Sequence, residues 1–87
     1  MTTTSNGAES VHEVAGLVRR ILEERSIQAA VSPESDLRDL GLTSLDMVAL
    51  VLSVEAEFDL TIPEAQITPA NFRTIMTINA LVSSLRT

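Results

Sequence analysis

The sequence predicts an all-α fold, a small four-helix bundle, and three observations lead there. Apolar residues recur at helical spacing in three separate segments, while no stretch shows the alternating Val, Thr and Tyr of a half-buried strand. The apolar content is 45%, yet only 2% of residues are aromatic and Trp and Tyr are absent, so the core must be built from Leu, Val, Ile and Ala packed helix on helix. A chain of 87 residues can bury one such core and has no room for a second.

Residues 1–9, "MTTTSNGAE", are small, polar and aperiodic, and are expected to form a disordered tail ahead of a single domain at 10–87. Ser10 with Glu13 three residues on has the form of a capping box. Val11, Val14, Leu17, Val18, Ile21 and Leu22 then repeat at helical spacing up to "EER", which defines helix I. From Arg25 to Thr43 the periodicity lapses and Pro33 interrupts, so a long ordered loop is expected, with Leu37, Leu40 and Leu42 dipping into the core. Ser44 to Phe58 contains no Gly or Pro and carries the strongest apolar pattern of the chain, giving helix II. Pro63 in "PEAQ" and Pro69 in "PANF" each suit the first turn of a helix, and a short third helix is expected between Pro63 and Phe72. Thr74 then caps a last helix that turns Ile75, Ile78, Leu81, Val82 and Leu85 to one side. The three longer helices should lie roughly antiparallel or tilted.

Composition removes several function classes. Six Arg and no Lys stand against twelve Asp and Glu, so at net charge −6 the chain would be repelled by a phosphate backbone and nucleic acid is not an expected partner. Without Cys there are neither disulfides nor thiolate metal sites. Neither a membrane-length apolar run nor a secretory pattern occurs, and a soluble, cytoplasmic, monomeric protein without membrane insertion is expected. The serine at the turn into helix II invites a hydrolase reading, but Gly41 lies three residues before Ser44, no strand precedes it, and the sole base for a triad is His12 in the first turn of helix I. Asp36, Asp39 and Asp46 lack the alternate spacing of a calcium loop, and one His cannot anchor zinc. No catalytic or metal-ligating residue is therefore assigned.

Ser44 remains as an acceptor of modification. A hydroxyl in the first turn of a helix faces unsatisfied N–H groups and the positive end of the helix dipole, which favour a phosphate ester. The segment "DLGLTSLDMVALVLSVEAEFDLTIP" resembles the attachment region of the acyl carrier and peptidyl carrier protein family, and with the long loop before it the likeness covers most of the chain. The resemblance implies that Ser44 receives 4′-phosphopantetheine from coenzyme A through a phosphopantetheinyl transferase. Residues 10–87 would then be a discrete carrier domain taking thioester-linked acyl or aminoacyl groups between enzymes with basic docking surfaces, in specialised lipid or secondary-metabolite biosynthesis. It implies further that Leu45, Val48 and Leu52 are exposed apolar positions touched by partners, and that Asp46, Glu55 and Glu57 are recognition acids. Fatty-acid carriers usually hold Asp just before the serine and an acid in the next turn, where this chain has Thr43 and Ala49.

Plainer readings stand beside these. Thr43 or Ser44 can serve simply as an N-cap, and the acids can form an ordinary solvated face. The competing function is an unmodified, small acidic helical adaptor. Helix II is apolar around most of its circumference, however, so one stripe should be exposed. Val48 and Leu52 are expected there, with Leu50, Val54 and Phe58 packed on helix I and the last helix.

Overall fold

The computed structural model describes residues 7–86. Among them are three α-helices, α1 (Gly7–Glu24), α2 (Ser44–Phe58) and α3 (Ile75–Arg86), one short 3₁₀ turn (Glu64–Gln66), and no strand. The expected tail falls mainly on residues 1–6, outside the described residues.

Helix α1 starts at Gly7, three residues ahead of the expected cap at Ser10. Ser10 is a buried residue inside the helix. It lies one turn before Val14 on the same stripe as Val18 and Ile21, and so turns inward with them. The helix ends in a Schellman motif. Ser26 adopts a left-handed conformation at φ 58°, its N–H donates to the Glu23 carbonyl, and the Ile27 N–H donates to the Leu22 carbonyl. Ile27 packs on the core at that end, as the motif's apolar contact requires.

Helix α1 is the central element, packing against both α2 and α3. Val14, Val18, Leu50, Val54, Ile78 and Val82 meet in the core with no exposure. Loop residues Leu37 and Leu42 join them as expected, while Leu40 is half-buried. Phe58 differs from expectation. It lies half-buried at the edge of the core in the last turn of α2, with the Arg86 guanidinium 5.6 Å from its ring centre. At that depth the ring meets both the core and a C-terminal cation.

The expected short third helix reduces to the 3₁₀ turn after Pro63 and a separate turn at 69–72, closed by the Phe72 N–H donating to the Thr68 carbonyl. Pro63 and Pro69 each remove an N–H donor, and neither segment is long enough to repay helix nucleation. Thr74 caps α3 as expected: its Oγ1 accepts from the Thr77 N–H and Thr77 Oγ1 accepts from the Thr74 N–H, both at 3.0 Å. No helix among the described residues is long and apolar enough to cross a membrane, and no cluster of His, Cys, Asp or Glu among them could hold a metal ion.

Candidate functional site

The turn that delivers the chain into α2 is a second Schellman-type closure. Gly41 sits at φ 107°, its N–H donates to the Arg38 carbonyl, and the Leu42 N–H donates back to Leu37. This arrangement puts Leu37 and Leu42 side by side in the core and explains the "LGL" spacing, because an L side chain rarely adopts that φ. Thr43 follows as the N-cap of α2, with φ −99° and ψ 178°. Its Oγ1 accepts from the Asp46 N–H, and an Asp46 carboxylate oxygen accepts from the Thr43 N–H at 2.7 Å, completing a capping box. Ser44 therefore occupies the first helical position with the capping task already taken. It is exposed, and its hydroxyl makes no hydrogen bond among the described residues.

Two ion pairs fix this junction. Arg25, just past the end of α1, donates to both Asp46 oxygens at 2.6 Å. The Asp46 carboxyl is held below its ordinary value, first by the Thr43 N–H and further by Arg25, against the opposing effect of burial. On the other side of the loop, Asp36 accepts from the Arg38 N–H and pairs with Arg73 at 3.3 Å. The Arg38 N–H is the chief reason that the Asp36 carboxyl is also lowered. Backbone bonds from Leu37 to Arg73 and from Met76 to Pro33 tie the same loop to the start of α3.

Along α2 the expected stripes separate cleanly. Leu45 is 80% exposed, Leu52 61% and Val48 57%, while Leu50 and Val54 are fully buried. Ala49 and Ala56 are exposed as well, so the outward face running on from Ser44 is apolar, with the half-buried Glu55 toward its far end. Two of the three recognition acids inferred from the resemblance are placed otherwise. Asp46 is buried, spent on the cap and on Arg25, because position N3 points its side chain back at the helix entrance. Glu55 is half-buried and accepts from the Ile62 N–H at 2.8 Å, bracing the chain after α2. Glu57 alone of the three is exposed.

Beside Ser44 opens a groove of about 240 Å³. Met47, Val48 and Val51 supply its α2 wall, and Ile67, Pro69 and Phe72 supply the opposite one. Arg38 and Arg73, both exposed, line it too. Sequence reasoning passed over this second wall and both arginines, since residues 67–73 have no periodicity and reach α2 only by folding across. The available signal was that only six arginines occur in the chain and two of them, Arg25 and Arg38, lie in the loop leading to Ser44.

Comparison with known proteins agrees with this geometry. The family model described as "Phosphopantetheine attachment site" matches residues 12–85. Aminoacyl carrier protein 1 of Bradyrhizobium diazoefficiens is 49% identical over 71 residues, covering 82% of this chain and 79% of that protein. Aminoacyl carrier protein 2 of the same organism is 46% identical, covering 82% and 80%. A chain in the crystal structure of Bradyrhizobium japonicum glycine:[carrier protein] ligase complexed with glycylated carrier protein superposes with TM-score 0.71 at 48% identity, covering 82% of this chain and 96% of that one.

Proposed function

Because this chain belongs to the phosphopantetheine-attachment family of carrier proteins, which hold 4′-phosphopantetheine covalently, we propose that Ser44 is its attachment residue and that it is a discrete aminoacyl carrier. The observation that carries the site is the division of labour at the entrance to α2. Thr43 and Asp46 satisfy the backbone there, and the exposed Ser44 hydroxyl is left for transfer chemistry. The residues fit the group, since a phosphodiester at the first helical turn meets the positive end of the α2 dipole and an apolar groove with two guanidiniums opens beside it. When attached, the prosthetic group supplies the thiol that carries the cargo as a thioester. The protein's own part is anchorage and docking, and no catalytic group is assigned to it.

Leu45, Val48 and Leu52 form the proposed contact for a phosphopantetheinyl transferase and for a loading enzyme. Exposed apolar side chains in one stripe suit a partner surface more than solvent. Glu57 is the acid retained for recognition, and Asp46 and Glu55 support the scaffold instead. The named relatives favour an amino acid as cargo over a fatty or polyketide chain, with a ligase as the loading partner.

Incubation with coenzyme A and a transferase, followed by intact mass, tests the site. The wild type should gain one phosphopantetheine and Ser44→Ala none. Modification of Ser44→Ala would place the site elsewhere, and an unmodified wild type would favour the adaptor. Incubation of the modified protein with ATP, an aminoacyl ligase and a panel of amino acids then reads the cargo as a second mass increment.

A further inference from the structure

Two of the six arginines in a chain of net charge −6 line the groove that begins at Ser44. Arg38 forms no ion pair with any described carboxylate. Arg73 is paired with Asp36 but remains 65% exposed. Of the nearby acids, Asp46 in α2 is neutralised by Arg25 and Asp36 by Arg73, which leaves the exposed Glu34 and Asp39 of the loop, neither of which lines the groove. The groove itself is lined by no carboxylate. Arg38 is therefore the groove's unpaired charge, opposite in sign to the molecule, Arg73 shares its charge with Asp36, and the remaining lining is mostly apolar.

We propose that Arg38, with Arg73 beside it, holds the phosphodiester that joins the prosthetic group to Ser44, and that the apolar wall of Val51, Ile67 and Phe72 receives the pantetheine that follows. This rests on Ser44 being the attachment residue. A phosphodiester keeps one negative charge at any physiological pH, and a guanidinium fork matches two of its oxygens. Both arginines belong to segments tied together by the Leu37 to Arg73 backbone bond, so they are presented as a pair. Val48 lines the groove and also stands on the exposed stripe of α2. Seating of the prosthetic group and docking of a partner thus draw on the same side chain, and a docked partner favours release from the groove.

The test compares ¹⁵N-labelled apo and modified protein by amide NMR, with ³¹P spectra of the modified form, for wild type, Arg38→Gln, Arg38→Lys and Arg38→Gln/Arg73→Gln. Modification of the wild type should shift amides of Val51 and of residues 67–73 as well as those adjoining Ser44. Arg38→Gln should lose most of the distant shifts, the double variant all of them, and Arg38→Lys should keep part. Raising salt from about 0.01 M to 1 M, which shortens the Debye length from about 30 Å to 3 Å, should remove them in the wild type and sharpen the ³¹P resonance. Distant shifts that are absent in the wild type, or that survive in the double variant, overturn the clamp while leaving the Ser44 assignment intact. Absence of the mass gain on Ser44 overturns both, so intact mass tells the two failures apart. Arg38 is exposed and unpaired, so apo spectra of its single variants should overlay on the wild type away from the substitution, while the double variant, which also loses the Arg73–Asp36 pair, is referred to its own apo spectrum.

Discussion

Thr43 and Ser44 are adjacent hydroxyls with opposite duties, one closed into the backbone and one left open. Asp46 enforces this, since its carboxylate joins the Thr43 N–H and Arg25 and so locks the entrance of α2 to the exit of α1. Asp46→Ala should cost about 1–2 kcal/mol, the range of a lost helix cap, or about 4–8 °C in Tm per kcal/mol. The Asp46 carboxyl is lowered in the fold, so its contribution is fully present above the ordinary value of 3.8 and fades as pH falls through the lower folded-state value. Melts from pH 7 to pH 3 should accordingly show the gap between wild type and Asp46→Ala closing on the acid side. A constant gap would mean that packing, not charge, explains the loss. Gly41→Ala should cost about 1–3 kcal/mol through backbone strain at φ 107°, measurable by urea unfolding. Its Cβ would meet only Ile27 Cδ1 at 3.4 Å, so strain and not collision is the cause.

Helix α2 has one buried and one exposed apolar face, and the proposed docking role falls on the exposed one. Leu50→Ala should cost about 2–5 kcal/mol, a large share of the stability of a domain this small, whereas Leu52→Ala should change stability by less than about 0.5 kcal/mol and slow modification by the transferase or loading by a ligase. Thermal melts set beside mass-spectrometric loading rates decide this. Equal destabilisation would make Leu52 a core residue and remove the docking face. Phe58→Ala should cost less than the roughly 3–5 kcal/mol of a fully buried Phe, because the ring is only half-buried beside Arg86. On α3, Asn79 is buried and its Oδ1 has no partner among the described residues. Asn79→Leu, close in shape, should relieve about 1–3 kcal/mol of desolvation and raise Tm; a fall would show that the amide is satisfied.

Across the whole molecule, charge and docking surface are uncoupled. The net charge of −6 would draw a basic partner, yet the α2 face beyond Ser44 is apolar, with Glu57 as the one exposed acid of that helix. Steering and contact should therefore separate in salt. Glu57→Arg should slow transferase loading at low ionic strength and lose that effect at about 0.5 M, where screening is complete within a few ångströms. The defect of Leu52→Ala should persist at every salt concentration. Loading rates measured across a salt series check both, and a salt-independent Glu57→Arg defect would point to direct contact in place of steering.

The three main helices were readable from the sequence because apolar spacing is a local property: the stripes of Leu17, Val18 and Ile21 or of Ile75, Ile78 and Val82 need no distant partner to declare themselves. Ser44 stood out for the same reason, through the local "LGLTSL" pattern and its resemblance to carrier proteins. Which hydroxyl caps and which stays free, however, depended on Asp46 turning back to Thr43. The burial of Asp46 depended on Arg25, twenty-one residues away. The groove required residues 67–73 to cross to α2, and the placing of Arg73 in the same groove as Arg38 went with its pairing to Asp36, thirty-seven residues away. Periodicity shows which residues face inward, but the pairing of charges and the opposition of two walls are set by distances through space, and those were decided only when the helices packed.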